Sequence, residues 1–169
     1  LYRGVGDSAG EIGHTTIDVG GPQCGCGNYG CLEAMASENA LVKTMVKSIK
    51  EGRDSMVLDL AGGNLEDVTP EIIYEAAANG DILASRILRQ IARYLGIAVA
   101  NAINTFNPEL IVIGGGITRA KTFIEETMMD TVKSRALESC FQDVRISFST
   151  MGDEATLKGA ADMVMAEVL

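Results

Sequence analysis

The sequence has no apolar run of the roughly 18 to 20 residues that a bilayer-spanning helix needs, which excludes a helical membrane protein. It is short of positive charge: 14 Lys+Arg face 23 Asp+Glu, for a net charge of −9. That balance argues against a chain that grips nucleic acid by its phosphates. No basic stretch followed by a long apolar one stands at the start, so no signal peptide is read there. Nor is there an initiating methionine. The chain opens Leu1-Tyr2-Arg3 and soon crowds glycines at Gly4, Gly6, Gly10 and Gly13, a texture of a domain's interior, so it is expected to be a piece of a longer protein. Internal repeats and low-complexity linkers are also missing.

What is present is ordinary globular material. Its 169 residues suit one domain, or two small lobes sharing a core. A chain of this size buries about 70% of its unfolded surface. Apolar residues make up 47% and charged residues 22%, which argues against disorder.

Residues 1–33 read as loop, with a short extended piece near Thr15 to Val19. A helix is expected from Glu33 to Lys50, its apolar face marked by Leu41, Val42, Met45, Val46 and Ile49, with Gly52 ending it. The stretch from Arg53 to Val68 is mixed, with a turn at Gly62-Gly63-Asn64. Thr69-Pro70 is a helix start, a capping hydroxyl followed by proline at the first helical position, and Gly80 closes that helix. A long helix is predicted from Asp81 to about Thr105, its second half rich in Ala and Ile and therefore buried on most sides. Asn107-Pro108 stops it. Glu109 to Ile113 reads as a fully buried strand. Helix is expected again from about Arg119 to Ser139, then a strand alternating Val144, Ile146 and Phe148. A turn at Gly152-Asp153 leads into a last helix, about Ala155 to Glu167. The alternation is that of an α/β protein.

Three of the four cysteines, Cys24, Cys26 and Cys31, fall within eight residues, and the only histidine, His14, stands ten positions before the first. A disulfide framework fits badly: Cys24 and Cys26 are too close in sequence to bridge without strain, the number is odd, and Cys140 is remote. Three thiolates and one imidazole make the tetrahedral set that zinc favours, and Gly25, Gly27 and Gly30 would let the backbone aim the sulfurs inward. The plainer alternative is three reduced thiols in a glycine-rich turn beside an unrelated histidine. Four protein ligands would close the metal's shell, so the zinc would be structural. Cys140 reads as a buried small hydrophobe.

Two further clusters could hold ligands. Gly114-Gly115-Gly116 follows a strand and precedes a helix, where open α/β sheets bind ligands. It lacks both the spacing of a dinucleotide fingerprint and the Lys-Ser/Thr of a phosphate loop, so a tight turn with no ligand remains an equal reading. Around His14 stand Glu11 and Glu33. If a metal holds one ring nitrogen, the other is aimed in a fixed direction, and the two carboxylates beside it suit sugar hydroxyls. Alternatively Glu11 is a surface acid and Glu33 a helix-start residue favoured by the dipole, and spacing alone favours this for Glu33.

The run Gly10-Glu11-Ile12-Gly13-His14, followed by Gly21-Pro22-x-Cys24-x-Cys26-Gly27-Asn28-x-Gly30-Cys31-Leu32-Glu33, resembles the signature of the ROK family of repressors, open reading frames and sugar kinases. Asn107 to Gly116 is similar to the family's strand and adenosine-side turn, and Gly152-Asp153-Glu154 with Gly159-Ala160-Ala161 to its C-terminal end. The resemblance covers essentially the whole chain. It implies an α/β fold, the C-terminal lobe of an actin-like ATPase (ribonuclease H-like) architecture, spanning residues 1–169 with a small zinc knuckle inserted at 14–33. It implies structural zinc on His14, Cys24, Cys26 and Cys31, and sugar hydroxyls met by Glu11, His14 and Glu33. In kinase members Gly114 to Gly116 would lie near the nucleotide, with ATP and Mg²⁺ as cofactors. Family members are commonly dimers or tetramers, and a cytoplasmic location is expected. The family's N-terminal lobe, with its phosphate loop and general-base aspartate, has no counterpart in these residues, so this stretch alone is expected neither to phosphorylate nor to close a sugar site.

For the parent protein two functions compete: a sugar-responsive repressor of the xylose- or N-acetylglucosamine-repressor type, touching DNA only through a separate N-terminal segment, and an ATP-dependent sugar kinase. Leu1 to Gly4, Ser8 to Glu11 and Thr15 to Asp18 look slightly more like the repressor branch, while the intact Gly114 to Gly116 pulls toward the kinase. A third reading is a zinc-stabilised interaction module with no affinity for sugar.

Overall fold

In the computed structural model, which describes residues 2–152 and 154–168, the helix starts predicted from capping chemistry form as expected. Thr69 caps α4 (Pro70–Ala78), its side chain accepting the Ile72 N–H, with Pro70 in the first turn. Asp81 caps α5 (Ile82–Phe106), accepting from the Ala84 N–H at 2.7 Å. Asn107 ends that helix in the left-handed region at φ 43°, its N–H returning to the Ile103 carbonyl. Residues 94 to 100 are buried or half-buried, but Asn101, Asn104, Thr105 and Phe106 are exposed, so only part of this half of α5 is as enclosed as its composition predicts.

The helix expected over Glu33 to Lys50 is two helices. α1 (Leu32–Ala36) stops at Ser37, whose backbone is extended (ψ 163°), and α2 (Glu38–Lys50) restarts behind it. Ser37 accepts the Ala40 N–H through its own side chain, so a capping bond replaces a helical one and the axis breaks. The mixed stretch holds α3 (Val57–Leu60) and a 3₁₀ turn at Leu65–Asp67. The helix expected over Arg119 to Ser139 is likewise divided. A 3₁₀ turn at Gly116–Ala120 runs into α6 (Lys121–Arg135), and α7 (Glu138–Phe141) follows. The final helix, α8 (Glu154–Val168), lies where expected; Asp153 of the preceding turn falls outside the described residues.

β1 (Leu110–Ile113) and β2 (Arg145–Phe148) pair in parallel, Leu110 opposite Arg145 and Ile113 opposite Phe148, with α6 and α7 in the crossover. Ile113, Ile146 and Phe148 pack on the core. The other face is open: Leu110 is 47% and Val112 56% exposed, so β1 is half-buried and not the fully buried strand its composition suggests. An unbroken apolar run states that both faces are suited to burial, and among the described residues only one is covered. The expected strand near Thr15 to Val19 reduces to one bridge, Thr16 to Cys31.

The core lies between α2, α4, α5 and α6, where Leu41, Met45, Ile73, Leu88, Ile124 and Met128 are fully buried. Each contributes about 1.5–3 kcal/mol by leaving water. α5 and α6 approach closely at Gly96, where an added Cβ would lie 2.7 Å from the Met128 carbonyl oxygen. Cys140 is half-buried, less enclosed than expected.

Candidate functional site

The segment ahead of α1 folds back on itself through main-chain bonds. Ile17 and Asp18 both donate to the Gly30 carbonyl, Gly30 donates to Pro22, and Cys24 donates to Asn28. The crossing is so tight at Gly30 (φ 65°) that a Cβ there would sit 1.5 Å from the Asp18 oxygen. Gly21 packs against Gly30 from the other side, where its own Cβ would be 2.7 Å from Gly30 Cα. Of the glycines expected to aim the sulfurs, Gly27 and Gly30 take positive φ, while Gly25 does not; Gly21 supplies a close contact that spacing alone missed.

This fold-back brings His14, Cys24, Cys26 and Cys31 together, with all four potential ligand atoms within 4.8 Å of one another. Cys26 Sγ lies 3.7 Å from Cys31 Sγ, and Cys24 Sγ 3.6 Å from His14 Nδ1. Zn–S bonds of about 2.3 Å and Zn–N bonds of about 2.0–2.1 Å imply tetrahedral edges of roughly 3.8 Å between sulfurs and 3.6 Å between sulfur and nitrogen. These two separations match such edges, and all four donors lie within 4.8 Å of one another, so the donor set is compatible with a tetrahedral cation. Without a cation the site is electrostatically uneven. Burial pushes the Cys31 thiol up to about 12, whereas the Asn28 backbone N–H draws the exposed Cys26 thiol down. A dication is the charge that would favour thiolate at Cys31.

His14 ends a 3₁₀ turn, Ile12–His14, whose first carbonyl also receives the Thr15 hydroxyl. With Nδ1 facing Cys24, the ring presents Nε2 to Glu33 at 3.7 Å and Glu11 at 3.9 Å. The Cys24 contact, with the two carboxylates, raises the imidazole above its ordinary value. Metal on Nδ1 leaves Nε2 as an N–H donor aimed between two carboxylates that are 69% and 54% exposed, and so open to a ligand. The structure therefore brings Glu11, His14 and Glu33 together. His14 belongs to both assemblies, and Cys31 links them along the chain, since it lies in the sulfur cluster and precedes α1, whose second residue is Glu33.

The glycine turn stands apart from the thiol cluster. Gly115 takes φ 83° and Gly116 opens the 3₁₀ turn after β1. Against it lies a residue the sequence reading missed, Glu38, whose carboxylate covers Gly116 so closely that an added Cβ would meet Oε1 at 2.0 Å. Tyr74 donates to Glu38 Oε1 at 3.4 Å, and burial together with that charge holds the phenol well above its usual range. Arg119, on the same turn, pairs with Glu71, whose carboxyl is held below its ordinary value first by its own backbone N–H and then by Thr69 and Arg119. A signal for Glu38 existed: serine followed by an acid, inside an otherwise helical run, marks a helix start.

Comparison with known proteins places the chain among relatives. The model of the ROK family matches residues 1–167. The xylose repressor of Caldicellulosiruptor bescii is 34% identical over 169 residues, which are all of this chain and 42% of that protein. A solved ROK family transcriptional regulator, a homolog of the E. coli MLC protein, superposes with a TM-score of 0.77 at 38% identity, over 87% of this chain and 36% of its own. A ROK family glucokinase from Streptomyces griseus, solved with glucose and AMPPNP, gives a TM-score of 0.85 at 28% identity, over 96% of this chain and 53% of its own. The chain thus spans about two fifths of the repressor's length and shares the α/β fold of these proteins.

Proposed function

Because the chain belongs to the ROK family, we infer that it is the C-terminal, sugar-recognising and zinc-stabilised part of a sugar-responsive transcriptional regulator. The observation that carries the sugar reading is the convergence of Glu33 and Glu11 on His14 Nε2 while Nδ1 faces the thiols. Two exposed carboxylates accept hydroxyl protons, and the ring N–H donates to a hydroxyl oxygen, a set suited to vicinal diols. His14, Cys24, Cys26 and Cys31 would hold the zinc, which when bound supplies a closed cross-link and no activated water. The remaining work falls to this chain. The fold-back at Gly30 holds the ring edge toward the ligand, and the start of α1 brings Glu33 beside it.

Glu38 favours the regulator over the kinase. A kinase needs its strand-to-helix glycine turn open to a nucleotide, and here a carboxylate held by Tyr74 lies on Gly116. At the distances of that turn, like charge opposes a phosphate. The kinase remains the second reading, supported by the match to the S. griseus glucokinase. Oligomerisation through this region, and DNA contact through a separate segment of the parent, belong to the same proposal.

The test uses the full-length protein. A regulator binds operator DNA, loses affinity when its sugar is added, and transfers no phosphate from ATP to a panel of hexoses. Glu33→Gln should weaken the sugar response about tenfold or more, because it removes a charged hydrogen-bond acceptor. An undiminished response would remove Glu33 from the site, and hexose phosphorylation would replace the regulator with the kinase.

A further inference from the structure

A second cavity opens on the opposite side of α1. It measures about 440 Å³ and lies between α1, α2 and α5, close to where the knuckle crosses. Its charged lining residues are Arg53 and Arg86, with no acid among them, in a chain whose net charge is −9. Neither guanidinium has an ion-pair partner among the described residues. Thr44, Gln90 and Ser48, the last only 6% exposed, add polar groups, while Ile87, Ile91 and Tyr94 form an apolar wall. Asp54 and Asp59 line a separate hollow that Arg53 also borders.

Unpaired arginines in a concave site match the planar, bidentate geometry of a phosphate, and a wall of Ile and Tyr suits a carbon skeleton attached to it. We propose that this cavity is a second ligand site, taking a small organic phosphate and distinct from the Glu11–His14–Glu33 cluster. Its position makes it a regulator of that cluster. Ala34 and Met35 line the arginine cavity, whereas Glu33, one residue earlier on the same five-residue helix, faces His14. Pro22 and Ala34 also border the groove that contains Cys24 and Glu33, so the two hollows share a wall. A ligand that bears on α1 from one side shifts the balance of positions open to Glu33 on the other, and the coupling is reciprocal. This second half rests on the sugar reading of Glu33; the binding itself does not.

Titration calorimetry on the full-length protein at fixed ionic strength decides it, with phenyl phosphate, inorganic phosphate and benzoate as probes. Phenyl phosphate should bind more tightly than either of the others, since it alone uses both the arginines and the apolar wall. Arg53→Gln and Arg86→Gln should each weaken it about tenfold or more, as expected on losing a charge-assisted bond. Arg89→Gln, elsewhere on α5, should bind as wild type does. Arg86→Lys, which keeps the charge and loses the fork, should fall between. No heat with phenyl phosphate, or wild-type affinity in both glutamine variants, overturns the site. If phenyl phosphate binds as stated but no sugar does, the site stands and the sugar reading falls. If both bind and neither alters the other's affinity, the coupling is overturned.

Discussion

Gly96 shows how little room separates α5 from α6. A Cβ at this position would lie 2.6 Å from Thr131 Cβ and 2.7 Å from the Met128 carbonyl oxygen. Alanine in place of glycine gains about 1 kcal/mol in helix propensity. Overpacking costs about 1–3 kcal/mol, and the obstacle here includes backbone, which cannot rotate aside. The clash wins. Gly96→Ala should lower the melting temperature by several degrees, a result calorimetry can read against Gly159→Ala, where the added methyl meets nothing within 4 Å. Gly30 is a stricter case of the same rule, since its Cβ would overlap a carbonyl oxygen. A glycine's necessity is invisible in a sequence until its neighbour across the fold is known. Gly21 and Gly25 look equivalent in the motif, and only Gly21 has a neighbour.

Helix boundaries were readable where side chains write them locally. Thr69-Pro70, Asp81 and Asn107 each satisfy or terminate the backbone within a few residues, so periodicity and capping sufficed. The break at Ser37 was hidden because the apolar spacing on either side suits one continuous helix, and a serine hydroxyl decides the matter by bonding Ala40. Asp81 reaches further than its cap. Besides the Ala84 N–H it accepts the Met56 N–H at 2.7 Å and the Ser55 hydroxyl at 2.9 Å, tying the loop before α3 to the start of α5. It is 6% exposed. Asp81→Ala leaves those donors unpaired in a buried place, so it should cost about 3 kcal/mol in denaturant unfolding. A loss below about 1 kcal/mol would show that water replaces the carboxylate.

At the scale of the whole molecule, the described residues divide into a helical core held by packing and a knuckle held by few apolar contacts. Among the described residues from 2 to 31, only Cys24, Gly30 and Cys31 are buried, so a metal is the cross-link that segment would depend on. Purified protein should carry about one zinc per chain. Chelation should release amide protection across residues 15–32 while α5 and α6 keep theirs, as hydrogen exchange can measure. No zinc, with all four thiols freely titratable, would overturn the assignment. Both the donor set and its likeness to a family motif were legible in the sequence. The arginine cavity and the Glu38 contact were not, because their members come from helices far apart in the chain. Cys31 carries one more consequence. It closes the sulfur cluster and stands two residues before Glu33, at the threshold of a helix that turns about 100° per residue. One residue gained or lost between Cys31 and Glu33 would therefore swing the carboxylate off the imidazole's edge.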